Sequence, residues 1–161
     1  METIVVSMET EPRGAGALEV HVGYWLRRVS NHVSGAFARA LQEKHTSVAE
    51  WVVLSQVHAN PQIRSAELAD ALGLTRGAVS KVLDKLEEKK WIVRKTLQAD
   101  KRGQQLLLTP QGRRAVPLLT KIADSNDARF FDCLNAKERA TLERTLRKLA
   151  DFHQLRDIPI E

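Results

Sequence analysis

Apolar residues recur at steps of three to four along much of this chain, the spacing that places them on one side of an α-helix. Over roughly 18–44 the series is Val22, Trp25, Leu26, Val29, Val33, Phe37, Ala40 and Leu41, while Arg27, Arg28, Arg39 and Glu43 fall elsewhere on the wheel. This predicts one long helix. Ser47 followed by Glu50 makes a capping box. The helix it opens carries Trp51, Val52, Leu54 and Val57 and stops before Asn60-Pro61. Ser65 reads as the cap of a short helix over 66–72 that buries Leu68, Ala69 and Leu72. Gly73 ends it, because glycine accepts the left-handed conformation beyond a helix C-terminus. Leu74 plugs the turn, and Thr75 caps a further helix whose apolar face is Val79, Val82, Leu83 and Leu86.

The period then changes. Residues 91–96 read as a strand, 97–103 as a polar turn and 104–109 as the return strand carrying Leu106, Leu107 and Leu108. Pro110 fits the first turn of a following helix. Residues 115–131 are expected to be largely helical, with Pro117 in or near the first turns. Asn135 with Glu138 resembles another capping box, before a last helix with Leu142, Leu146, Leu149 and Phe152. Residues 157–161 are a tail.

The fold class expected is mainly α with a small β-hairpin wing (α+β), a winged helix-turn-helix with N- and C-terminal dimerisation helices. Residues 1–16 form a flexible arm, 17–47 and 114–156 the dimerisation helices, and 48–113 the DNA-binding lobe. A long apolar stripe at each end is better satisfied by a partner chain than by one small core.

Charge sharpens this picture. The formal net charge of the 161 residues is +5, and the excess sits in one block: residues 61–114 hold 12 Lys and Arg against 6 Asp and Glu. Such a block is a footprint for a polyanion. The lone cysteine, Cys133, has no internal partner, which suits a reducing cytoplasm. It reads as an incidental thiol rather than a sensor. No apolar run approaches the ~20 residues of a membrane span, and Ile4-Val5-Val6 is too short for a secretory signal. His21, His32, His45, His58 and His153 show no tight metal spacing. No metal and no cofactor are expected. With no nucleophile beside a base and no phosphate loop, no catalytic residue is assigned and the chain is not read as an enzyme.

Helix, turn with glycine, helix and hairpin together make a helix-turn-helix with a wing. If the second helix packs through Val79, Val82, Leu83 and Leu86, its opposite face carries Gly77, Lys81, Asp84 and Glu88, flanked by Ser80 and Lys85. The N-terminal half of that face is small and basic and can lead into a groove. Gly77 and Ala78 permit close approach, Ser80 can bond base or phosphate, and Lys81 supplies charge. Arg76 lies to one side, within reach of a phosphate or a guanine edge. Ser65, Thr75, Lys85 and Arg94 complete the expected DNA-binding set. At the wing tip, Lys101 and Arg102 are expected in the narrow minor groove, with Asp100 and Gly103 shaping the turn. Trp25 and Trp51 are weak candidates for lining a ligand cleft. An alternative remains open, in which the winged helix is a protein–protein interaction module docking an acidic partner.

Residues 61–114 resemble the MarR family of bacterial winged-helix regulators. The resemblance rests on Leu68-Ala69, Leu72-Gly73-Leu74, the run Val79-Ser80-Lys81-Val82-Leu83-Asp84-Lys85-Leu86-Glu87, and Trp91-Ile92-Val93-Arg94. The wing motif Asp100-x-Arg102, followed by Leu106 and by Leu108-Thr109-x-x-Gly112, is its most specific part. The resemblance implies a homodimer on a pseudo-palindromic operator in double-stranded DNA, acting as a repressor and responding to a small-molecule effector. Half-sites are then separated by roughly 34–36 Å. Two positions depart from the family's pattern: Trp91 stands where glycine is commoner, and Lys81 replaces the commoner arginine.

Overall fold

The computed structural model describes residues 18–97 and 100–155 together with Ile158 and Ile160; at 97 and 100–103 it describes the backbone only. The expected arm over 1–16 lies outside the described residues. Among the described residues, six α-helices and one hairpin follow in order: α1 (Val22–Gln42), α2 (Val48–Ala59), α3 (Ser65–Leu72), α4 (Arg76–Glu88), β1 (Ile92–Leu97), β2 (Asp100–Leu108), α5 (Pro110–Phe131) and α6 (Ala136–Phe152).

The N-terminal helix begins later than its periodicity suggests. Leu18–Val20 is a separate 3₁₀ turn, and extended His21 precedes α1. The Trp25 indole donates to the Glu19 carbonyl at 2.8 Å, folding that turn back on the helix. The Ser47–Glu50 capping box opens α2 as expected. Before α3 the cap moves by one residue: Arg64, not Ser65, is the N-cap, and its N–H donates to the Glu67 carboxylate at 3.0 Å. The cause is tertiary. Leu106 N–H donates to the Ile63 carbonyl, and Arg64 bridges Gln105, so the wing holds 63–64 extended and the helix starts at Ser65.

The hairpin pairs Ile92 with Leu108 through Thr96 with Gln104, then shifts register so that Leu97 faces Asp100. Thus β2 begins at Asp100, inside the segment read as turn, and ends at Leu108. Thr109, expected in the strand, instead caps α5, its hydroxyl accepting from Gly112 N–H at 2.9 Å. Helix α5 starts at Pro110, the residue read as fitting its first turn, and Pro117 lies inside the helix rather than in its opening turns. Pro117 has no N–H to donate to the Arg113 carbonyl one turn back, and both residues are exposed.

The core forms where α2, α3 and α4 meet the hairpin and the start of α5: Leu54, Leu68, Leu72, Leu83, Leu86 and Ile92 are fully buried. Helix α1 packs on α5. Of its stripe, Phe37 and Leu41 reach the core, while Val22, Trp25, Leu26 and Val29 remain exposed. The tail is partly engaged, since Ile158 packs against the core.

Four helices end alike. After α4, Lys90 takes φ 60, its N–H donates to the Glu87 carbonyl, and Trp91 N–H donates to that of Leu86. This is the Schellman arrangement. It recurs at Gly73 after α3, His45 after α1 and Gln154 after α6. A side chain in this left-handed region is strained. Lys90→Gly is therefore expected to raise the unfolding free energy by about 0.5–1 kcal/mol, after allowing for glycine's greater unfolded freedom. The check is a higher urea midpoint at unchanged slope.

Candidate nucleic-acid interface

The recognition geometry is set by the two ends of α4. At its start the Thr75 hydroxyl accepts from Ala78 N–H at 3.2 Å, which fixes the first turn and leaves the partly positive helix end facing outward. Arg76, Gly77, Lys81 and Lys85 are exposed and Ser80 is half-buried. Among the described residues, Arg76, Lys81 and Lys85 make no ion pair. A Cβ built on Gly77 meets nothing within 4 Å, so packing within this chain does not require glycine there.

Two of the carboxylates in the second half of α4 are engaged from the wing. The Arg94 guanidinium on β1 pairs with Asp84 and, at 2.9 Å, with Glu87, whose carboxylate also accepts from Arg94 N–H at 3.1 Å. Burial works to lower the Arg94 pKa, and the hydrogen bond to Asp84 and the charge of Glu87 more than offset it, leaving the net shift upward. The sequence reading makes Arg94 a DNA ligand. The structure places its charge on the recognition helix instead, where it clamps wing to helix.

A cleft of about 610 Å³ opens between the starts of α3 and α4 and the wing. It brings together Ser65, Arg76, Gly77, Ser80 and Arg94 from the expected set and adds Arg64 and Gln104. The Ser65 hydroxyl donates to the Gln104 carbonyl at 3.5 Å. Arg64 and Gln104 carried no sequence signal, because their place depends on how the wing folds back on α3. The side chains of Asp100, Lys101 and Arg102 are not described, and Gly103 is described by its backbone within β2 alone.

A second groove, also about 610 Å³, runs between α1 and α5. Ala36, Ala40, Leu118, Leu119 and Ile122 line it with Trp91. Neither of the tryptophans proposed from the sequence is there. Trp25 stacks edge-on with Tyr24 near the start of α1, and Trp51 packs against the core. The residue that departs from the family pattern, Trp91, is the aromatic in the groove. Among the described residues no group of three or more His, Cys, Asp and Glu can hold a metal ion. No helix among them is long and apolar enough to cross a membrane.

A helix-turn-helix with a basic leading edge, an antiparallel wing and long flanking helices defines a winged-helix DNA-binding transcription regulator. The chain belongs to the MarR family: that family's sequence pattern matches residues 46–103. A putative transcriptional regulatory protein for the hcr operon of Thauera aromatica is 32% identical over 135 residues, covering 83% of this chain and 81% of that protein. The transcriptional repressor CouR, bound to a 23-mer DNA duplex, superimposes with a TM-score of 0.76 at 28% identity, over 87% of this chain and 99% of CouR. BpsR of Bordetella bronchiseptica, whose DNA binding is regulated by 6-hydroxynicotinic acid, superimposes with a TM-score of 0.73 at 25% identity, over 86% and 99%. Members of this family are DNA-binding regulators and not enzymes, which agrees with the sequence reading.

Proposed function

We propose that this regulator is a cytoplasmic repressor that binds a pseudo-palindromic operator as a homodimer and is released by a small molecule. The observation that carries the reading is the division of charge along α4. Its cationic leading edge is exposed and unpaired among the described residues, while Arg94 holds its acidic half. The helix enters the major groove N-terminus first. Arg76, Gly77, Ser80 and Lys81 meet base edges or phosphates, with Thr75 and Lys85 at the margins. Ser65 and the start of α3 sit against backbone phosphate. Lys101 and Arg102, on β2 beside the hairpin's register shift, reach the minor groove. Arg94 positions the wing and is not itself a ligand.

Dimerisation is supported by apolar faces the chain leaves uncovered: Val22, Trp25, Leu26 and Val29 on α1, and Leu142, Leu146, Leu149 and Phe152 on α6. Patches of this kind mark interaction surfaces. The segments 17–47 and 114–156 form the dimerisation part, and 48–113 the DNA-reading lobe. The groove at Trp91 is the effector site. Regulation of BpsR by 6-hydroxynicotinic acid supports an aromatic acid of that size.

The test is fluorescence-anisotropy titration against random duplexes and a selected palindrome pool at two salt concentrations. Steep salt dependence and an enriched inverted repeat, with two chains per duplex, are expected. Arg102→Ala should weaken binding to every duplex and flatten the log–log salt slope by about one unit, as loss of one phosphate contact does. Flat, weak binding to all DNA would instead favour docking of an acidic protein.

A further inference from the structure

The groove and the recognition helix are joined through one side chain. Lys89 is the C-cap of α4. Its ammonium leaves that helix and donates to the His45 carbonyl at 2.6 Å, at the left-handed residue closing α1. It also pairs with the Glu50 carboxylate of α2 at 2.7 Å. The same ammonium lies 5.1 Å from the centre of the Trp91 ring, within cation–π range. Trp91 in turn lines the groove.

The Trp91 backbone cannot carry movement outward. Its N–H is bonded to Leu86 of α4, and its carbonyl accepts from Thr109 N–H at 3.0 Å against the start of α5. Pressure in the groove is therefore relieved by rotating the indole side chain. That ring carries the cation anchoring the far end of α4. The opposite end of α4 is the DNA-reading end, and a helix of 13 residues behaves as a rigid rod. A small change of seating at the C-cap becomes a change of pitch at Arg76 and Lys81.

We propose that Trp91 and Lys89 are positioning residues that transmit occupancy of the groove to the recognition helix, although neither touches DNA. This rests on the operator reading above and adds its regulatory route. A hydrophobic or aromatic body filling the groove turns the Trp91 ring, unseats Lys89 from Glu50 and the His45 carbonyl, and re-aims α4.

The test needs no identified effector, because the groove can be filled from within. Ala40→Phe places a ring inside it, and Leu118→Trp does so from an exposed position on α5, with the dimer checked by sedimentation. Each is made in the native chain and in a Glu50→Gln/Lys89→Met background, where no charge is left buried alone and glutamine still completes the capping box. Affinity for the selected palindrome is measured for all forms, with thermal melting to confirm folding. Filling the groove is expected to weaken binding about tenfold in the native background and less than twofold in the uncoupled one, a non-additivity that marks coupling. Equal losses in both backgrounds, or no loss in either, overturn the proposal. A native chain that binds no duplex overturns the operator reading itself. In that case the Trp91 emission of a Trp25→Phe/Trp51→Phe form still tests the route: a shift on filling the groove with Ala40→Phe that the Glu50→Gln/Lys89→Met change leaves unaltered overturns the link to Lys89.

Discussion

Lys89→Met is expected to lower the unfolding free energy by about 2–3 kcal/mol at neutral pH, and by progressively less in acid. Removing one partner of a buried pair leaves an uncompensated charge, which costs ~3–5 kcal/mol when both partners are deeply buried. Here the Glu50 side chain is 5% exposed but that of Lys89 is 26% exposed, so water shares the burden and the lower figure applies. The Glu50 carboxylate already spends one oxygen on Ser47 N–H at 2.6 Å in the capping box. Burial works to raise its pKa, and the hydrogen bonds from Lys89 and Ser47 outweigh it, so the folded value lies below the ordinary 4.5. For a depressed carboxylate the stabilisation is fully present above the unfolded value and is lost as pH falls through the folded one. In Lys89→Met the burial is unopposed by a cation and Glu50 takes up its proton at a higher pH than in the native chain, so the deficit shrinks as pH falls, first through the variant's raised value and then through the depressed native one. Urea denaturation at neutral pH and in mild acid measures both. A loss that stays constant across pH would mean the pair is not what Lys89 contributes.

Gly112→Ala is the second large effect, about 3 kcal/mol or more. An added Cβ lies 2.0 Å from the Trp91 carbonyl oxygen, 2.8 Å from its carbon and 3.1 Å from Trp91 Cα. All three are backbone atoms, and they cannot yield. The Thr109 N–H and hydroxyl hold the 90–91 carbonyls, with the hydroxyl donating to Lys90 O at 2.6 Å. Overpacking against flexible side chains costs ~1–3 kcal/mol; against pinned backbone the upper end is the floor. For a chain of this size each kcal/mol moves Tm by roughly 2–4 °C, so a fall of about 6–12 °C is expected in a melting curve. Gly77→Ala is the control. Its Cβ meets nothing within 4 Å, so melting should hold while DNA affinity falls. Equal melting of the two variants would overturn the close-approach account of Gly112.

What could be read from the chain and what could not divide along one line. Ser47, Thr75 and Asn135 were legible caps because their oxygens bond N–H groups two or three residues away, a purely local event. Gly73 was legible as a helix end because glycine is the residue that accepts its φ of 65° at little cost. The same Schellman ends at His45, Lys90 and Gln154 carried no such mark, since long-range packing holds ordinary side chains in a strained conformation. Arg64 took the cap from Ser65 for a similar reason: pairing with Gln105 outweighed the local preference of serine.

The functional surface divides the same way. The basic block, the order of helix, turn, helix and wing, and the exposed face of α4 all follow from periodicity and composition, which are local properties of the chain. The pairing of Arg94 with Asp84 and Glu87, the gathering of Arg64 and Gln104 into the cleft, and the seat of Lys89 between Glu50, His45 and Trp91 were decided only by the tertiary fold. A lysine or arginine in sequence states its charge but not its partner. Partners here lie on other elements, Lys89 and the His45 carbonyl being 44 residues apart, and only packing of the apolar faces brings them within bonding distance.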